Sequence, residues 1–297
     1  MLRLSSGKET ELTDRTLGSG VYGLVRLGKW GALPVAVKSV PVATECQREL
    51  FRREVRMLQR AAHPRVTRLL DEGVHCGRGH MVLDLASANL LQLRERVDKE
   101  TAACHMVKCL DALHERGIAH RDLKLDNFLL SGRKLVIADL GMASDAERLM
   151  TLNVQAVEYR SPELLLGQRP YDKRADLWSL GIVLADLWSG APPYSGSKES
   201  IVERIFLHRK VPVAKSPTAL LGYERAPIDK TELMQNLIDS LAQLNPMHRA
   251  PAASLLARAE VAQRASRDPL EAQRARTASR PSGQSHAAAG RANKRKR

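Results

Sequence analysis

Of the 297 residues, 43% are apolar and 4% aromatic, enough for a sizeable core built on Leu, Val, Ile and Ala, which excludes a wholly disordered chain. The length allows one large domain or two modest ones. The formal net charge is +14, and ten Lys or Arg against two acids lie between Val261 and Arg297, so more than half of the excess positive charge sits in that terminal segment.

In chain order, "ELTDRTLGSG" and "LVRLGKW" read as two strands joined by a Gly-rich turn, and "LPVAVKSV" as a third with strand alternation. "ECQRELFRREVRMLQRAA" sets Leu50, Phe51, Val55 and Leu58 near helical spacing with charge on the remaining face, the pattern of an amphipathic helix. "VTRLLDEG" and "GHMVLDLA" resume strand character. From about residue 88 the pattern turns helical. "KETAACHMVKCLDALHERG" carries Met106, Leu110 and Leu113 on one face and stops at Gly117. Two short strand-like pieces follow, "NFLL" and "KLVIADLG". "DKRADLWSLGIVLADLWSG" is apolar on most faces and predicts a buried helix with Asp172 as N-cap. Further helical stretches run to about Glu260. The segment from Val261 onward is rich in Arg, Ala, Ser, Pro and Gly and lacks periodicity, which predicts disorder. Strands with one helix, then mostly helices, predict an α+β architecture: a small sheet-based lobe over 1–86, a larger helical lobe over 87–260 and a basic tail over 261–297.

Cys46, Cys76, Cys104 and Cys109 show no CxxC spacing and read as reduced thiols of a cytosolic or nuclear protein. His75, Cys76 and His80 lie close together but read as loop residues rather than a metal site. No apolar run approaches the ~18 residues of a membrane helix. The start, "MLRLSSGKETELT", has no apolar stretch of the signal-peptide kind. The expectation is a soluble, intracellular protein with no membrane partner.

Four stretches carry chemistry. "GSGVYGLV" supplies Gly18, Gly20 and Gly23, which let backbone approach phosphate oxygens. A strand follows them, not the helix of a dinucleotide fold, and no Gly-Lys-Ser/Thr follows either. "VAVK" sets Lys38 on a strand, and Glu54 on the amphipathic helix is its candidate acidic partner. "HRDLKLDN" gathers Asp122, which can orient an attacking hydroxyl, Lys124 and Asn127. In "ADLG", Asp139 joins Asn127 as an oxygen ligand suited to a hard cation such as Mg²⁺.

Taken together, these motifs resemble the eukaryotic protein kinase domain, in that family's order, across roughly residues 10 to 260. The likeness continues in "SPE" with Glu163, in "DLWSLG" with Asp176 and in "NPMHRAPA" with Arg249, which resembles the arginine that pairs with Glu163 in the family. It implies a bilobal fold and a nucleotide cleft lined by Leu17, Gly18, Ser19, Gly20, Val21, Gly23, Val25, Ala36 and Lys38 with Glu54. Leu83 stands at the gatekeeper position, Asp84, Leu85 and Ala86 at the hinge, and Leu129 on the cleft floor. ATP and Mg²⁺ are the implied ligands, with Asp122 and Lys124 catalytic and Asn127 and Asp139 metal-binding. Lys124 is similar to the serine/threonine branch, and "EYRSPELLLG" and "RIFLHRKVP" look most like the cyclin-dependent and MAP kinase group. Arg121 resembles kinases whose activation loop is ordered by a phosphate, which implies an upstream kinase, with Ser144 and Thr151 as candidate sites. An activating subunit on the helix of Glu54 is a further candidate partner, beside the protein substrates.

Three positions depart from the family pattern. Leu140 replaces the Phe that usually follows Asp139, which should alter packing and not metal binding. Ser161 replaces Ala. Ala156 replaces a Thr whose hydroxyl sits near the catalytic Asp and Lys, which weakens substrate positioning and carries the alternative reading, a pseudokinase scaffold of the same fold. "ANKRKR" at the end of the chain reads as a nuclear-localisation signal or solvated tail, and is the place where nucleic acid could bind. The expected location is nucleus, cytoplasm or both.

Overall fold

The computed structural model describes residues 2–20, 23–149, 156–208, 210–213 and 230–267. The N-terminal part is one antiparallel six-stranded sheet. Its strands are β1 (Leu2–Arg3), β2 (Glu9–Gly20), β3 (Gly23–Trp30), β4 (Leu33–Pro41), β5 (Leu69–His75) and β6 (Arg78–Asp84), in the order β1-β2-β3-β4-β6-β5. The two ends of that order meet. Ser5 N–H donates to Glu72 O at 2.9 Å, and Ser6 gives both its N–H and its hydroxyl to the Asp71 carboxylate. Leu2 and Leu4 thereby cover Val35, Val37 and Val82 on the outer sheet face.

The inner face takes helix α1 (Glu45–Arg60), whose capping box pairs Thr44 with Gln47. Phe51 packs so closely on Gly79 that a Cβ there would come within 2.7 Å of the ring. Strand β5 starts at Leu69, later than the alternation from Val66 predicts. Val66 instead forms a parallel bridge with Ile137, and Thr67 N–H donates to Ile137 O at 2.8 Å.

The remainder is mainly helical. A small sheet of β7 (Ala88–Asn89), β8 (Phe128–Ser131) and β9 (Lys134–Ile137) lines its upper edge. Helices α2 (Leu90–Leu93), α3 (Lys99–His114), α4 (Pro162–Leu165), α5 (Arg174–Ser189), α6 (Lys198–Leu207), α7 (Lys230–Leu241) and α8 (Ala252–Arg267) complete it. As the sequence predicts, α5 is buried all round: Leu180, Ile182, Val183, Leu184 and Ala185 are fully enclosed. Its regular turns run from Arg174, Lys173 before it already holds helical angles, and the Asp172 carboxylate accepts from Arg174 N–H at 2.7 Å, the kind of bond expected of Asp172 as the cap. At its other end Gly190 adopts φ +87°, a conformation that closes a helix at low cost for glycine.

Helix α8 corrects the expected boundary at residue 261. It continues to Arg267, with Leu255 and Ala259 buried and Glu260 ion-paired to Lys108 at 2.7 Å. Residues 268–297 lie outside the described residues. Among the described residues no helix is long and apolar enough to cross a membrane.

Candidate active site

The Gly-rich stretch is the tip of the β2–β3 hairpin, with Gly18 opposite Val25, Ser19 opposite Leu24 and Gly20 opposite Gly23. Leu17 stands on the same strand; Val21 lies outside the described residues. Gly23 has φ +151°, and a Cβ there would meet Ser39 O at 2.7 Å, so the hairpin can lie this close to β4 only without a side chain. Strand pairing then aligns the cleft residues: Val25 sits opposite Lys38, and Ala36 opposite Leu83. Leu129 comes from β8 below. The Asp84 side chain is turned away into a two-pronged ion pair with Arg68, at 3.0 and 3.1 Å. Its backbone N–H is also occupied, donating to Arg68 O at 3.1 Å.

Lys38 joins the two lobes. Its Nζ lies 2.6 Å from Glu54 Oε1 on α1 and 2.7 Å from Asp139 Oδ1 in the lower lobe. Burial works against the Lys38 charge, but the two carboxylates outweigh it and hold the ammonium above the usual lysine range. Burial also pushes both carboxyls up. Lys38 outweighs it at Asp139, which is held below the usual range, whereas burial and the Asp139 charge keep Glu54 raised. Asp139 adopts left-handed angles, φ 60° and ψ 71°. Such a backbone persists only where its surroundings impose it, and it clusters at functional sites.

The catalytic-loop candidates are fixed by a network that runs through Asp176. This buried carboxylate accepts from His120 N–H at 2.7 Å and Arg121 N–H at 2.9 Å, and bonds the His114 ring at 3.1 Å. Burial pushes its carboxyl up, but His114, His120 and the Arg121 amide pull it below the usual range. Arg121 sits at φ 69° under that clamp. The His120 ring accepts from Asp122 N–H on Nδ1, so its Nε2 carries the proton given to Ala138 O at 3.0 Å. Asp122 Oδ2 meets Lys124 Nζ at 2.7 Å. Asn127 donates through Nδ2 to Asp122 O at 2.7 Å, which sets its amide so that Oδ1 is the remaining ligand atom. Oxygen donors on Asn127 and Asp139 fit a hard divalent cation.

The expected Glu163–Arg249 pair forms, two-pronged at 2.7 Å on both arms and buried. Leu140 is fully enclosed in the main core, in line with a packing role. Ser144 is tied by its backbone to Ala119 in both directions, at 2.8 and 2.9 Å, and its hydroxyl accepts from Ala146 N–H. Thr151 lies outside the described residues. Ala156 is exposed, and its carbonyl accepts from Tyr159 N–H. Sequence reasoning missed Arg53, whose guanidinium donates to the carbonyls of Met142 and Ala143 and so fastens α1 to the segment after Asp139. Its place one residue before Glu54 was the available signal.

With this geometry in view, comparison with known proteins is direct. The family model described as protein kinase domain matches residues 12–259. Serine/threonine-protein kinase 36 of Pongo abelii is 32% identical over 251 residues, covering 78% of this chain and 18% of that protein. This chain therefore spans under a fifth of that relative's length. The probable serine/threonine-protein kinase KIN28 homolog of Encephalitozoon cuniculi is 28% identical over 284 residues, covering 81% of this chain and 91% of that protein. Extracellular signal-regulated kinase 2 of Dictyostelium discoideum is 27% identical over 289 residues, covering 83% and 78%. The small antiparallel sheet lobe, the helical lobe and the family match lead to one assignment: the chain belongs to the protein kinase domain family, among relatives that are serine/threonine-protein kinases.

Proposed function

We propose that this chain transfers the γ-phosphoryl group of ATP to serine or threonine hydroxyls of proteins. The observation that carries the reading is Lys38, held at once by Glu54 and Asp139 across the two lobes. A catalytically silent scaffold has no need of that buried charge cluster, which costs desolvation on three groups. In this reading Lys38, fixed by Glu54, neutralises the phosphates beside the donor, and the β2–β3 hairpin covers them. Asn127 and Asp139 are the residues that would hold Mg²⁺, which when bound supplies charge neutralisation on phosphate oxygens. Asp122 orients the acceptor hydroxyl and takes its proton, and Lys124 beside it stabilises charge on the transferring group. Little covalent work is asked of the protein, so positioning and electrostatics carry the rate.

Regulation belongs to the same proposal. Burial and then the Arg121 charge hold Arg53 below the usual arginine range, so two guanidiniums converge beside the segment that follows Asp139. An anion placed there by an upstream kinase would relieve that repulsion. One relative, from Encephalitozoon cuniculi, is named a probable CTD kinase subunit alpha homolog, which supports a second subunit seated on α1. Nuclear localisation through the basic terminal segment completes the proposal.

The test is transfer of label from γ-labelled ATP with Mg²⁺ to a panel of myelin basic protein, histone and casein. Wild type is expected to label Ser or Thr, and Asp122→Asn to lose about 10² to 10⁴-fold in rate while still binding nucleotide. Ala156→Thr, which supplies the hydroxyl that the family pattern sets beside the catalytic Asp and Lys, is expected to raise kcat/KM for the protein acceptor. Nucleotide binding with no label from wild type or from Ala156→Thr would sink the reading in favour of a scaffold.

A further inference from the structure

A second cavity, of about 660 Å³, lies behind the hinge, between the α1–β5 connection and the β8–β9 turn. None of Lys38, Asp122 or Asp139 lines it; it shares with the candidate cleft only the hinge residues Asp84 and Ala86. Leu58, Val66, Leu69 and Val136 give it an apolar floor, with Gln59, Thr67 and Ser131 also on its walls. Its rim is cationic. The one acid on the rim, Asp84, is spent on Arg68. Lys134 lines the cavity and forms no ion pair among the described residues. Beside it, Arg65 donates to Leu135 O at 3.4 Å and meets no carboxylate among the described residues. The charges converge on His63, another lining residue. Burial first, and then Arg116, Arg65 and Lys134, hold its ring below the usual histidine range, against a single opposing acid, Glu115.

An apolar hollow edged by unpaired cations selects its occupant by chemistry. A simple anion would leave the hollow unfilled. A neutral apolar ligand would leave the cations unpaired and desolvated, which is costly. An acidic chain segment with an apolar side chain satisfies both, and the volume is in the range of ligand-sized pockets. We propose that this cavity is a docking site for an acidic segment of a partner protein, with an apolar side chain in the hollow and carboxylates on Lys134 and Arg65. Asp84 and Ala86 line the same cavity, so the bound segment lies against the hinge and reaches the kinase without competing for the cleft.

The probe is a dye-labelled oligoglutamate peptide carrying one leucine and no hydroxyl residue, titrated by anisotropy against the full chain. Two variants test the site: Lys134→Glu reverses the rim charge, and Ala62→Trp fills the exposed mouth. The expected result is binding that weakens with salt, loses about tenfold or more in either variant, and loses as much when leucine is replaced by glycine in the peptide. A fluorescent ATP analogue should bind both variants as it binds wild type, which shows that they fold. The proposal is overturned if the peptide fails to bind, if it binds both variants as tightly as wild type, or if the glycine peptide binds equally well. It is also overturned if an oligoadenylate probe binds and is lost in Lys134→Glu while the peptide is not.

Discussion

Arg249 and Glu163 bury a full charge pair in the lower lobe, and the surroundings set what that pair is worth. Arg249 also donates to the carbonyls of Gln243, Arg174 and Leu244, and its guanidinium lies 5.6 Å from the Trp178 ring. Glu163→Gln keeps the shape but leaves a buried cation without its counter-charge. A loss of about 3 kcal/mol in urea unfolding is expected, since breaking a buried pair costs more than the pair contributes. A loss under ~1 kcal/mol would mean that the three carbonyls suffice. The four cysteines give a second test at this scale. Cys46 and Cys76 are exposed, whereas Cys104 and Cys109 are fully enclosed. Burial pushes the Cys109 thiol up to about 12, so it stays protonated and unreactive at neutral and mildly alkaline pH. A thiol reagent at pH 8 is expected to titrate two groups fast and two only after unfolding; a third fast thiol would contradict the burial of α3.

The first strand shows how much an element can depend on distant partners. Leu2 and Leu4 are nearly covered, and Ser6 is held by Asp71, 65 residues away. Leu4→Ala is expected to cost about 2 to 3 kcal/mol, read as a lowered urea midpoint, with the KM for ATP unchanged because the substitution lies on the outer sheet face. A changed KM with an unchanged midpoint would refute that division. Such an element could not be read from sequence, since two residues hold no period and its partners, β2 beside it and the β5 residues that hold Ser5 and Ser6, lie elsewhere in the chain. The long elements could. In α1 the spacing of Phe51, Val55 and Leu58 and in α5 an apolar surface on most faces mark helices that form there, although Leu50, expected in the α1 stripe, is exposed. The site was legible for a different reason: Lys38, Asp122, Asn127 and Asp139 stand in short stretches whose chemistry allows few substitutes. What holds them was not legible. The bond from His120 to Ala138 and the Arg53 tether join residues 18 and about 90 apart, and no local pattern records such pairs. The end of α8 was misread because an Ala- and Arg-rich run looks like low complexity, although both residues favour helix.

The charge of the whole molecule divides at that helix end. Of the net +14, residues 268–297 hold eight Lys or Arg and two acids. A truncation placed after Glu260 would also remove seven helical residues, including Gln263, whose side chain reaches Thr101 on α3. It would thus confound loss of charge with damage to the lobe. Truncation after Arg267 keeps the α3–α8 contact and removes only the terminal charge. Kinase activity and thermal stability are then expected to be unchanged, while nuclear accumulation is lost. Single-stranded nucleic acid should bind more weakly, with the slope of log K against log salt reduced by roughly 0.7 for each phosphate contact removed. If the truncated protein still enters the nucleus and keeps its salt slope, the positive charge that matters lies on the folded lobes, where α1 presents Arg48, Arg52 and Arg56 in salt bridges with Glu45 and Glu49. Those arginines are already paired, and paired surface charges attract a polyanion less than free ones do. The terminal segment is therefore where the loss should appear.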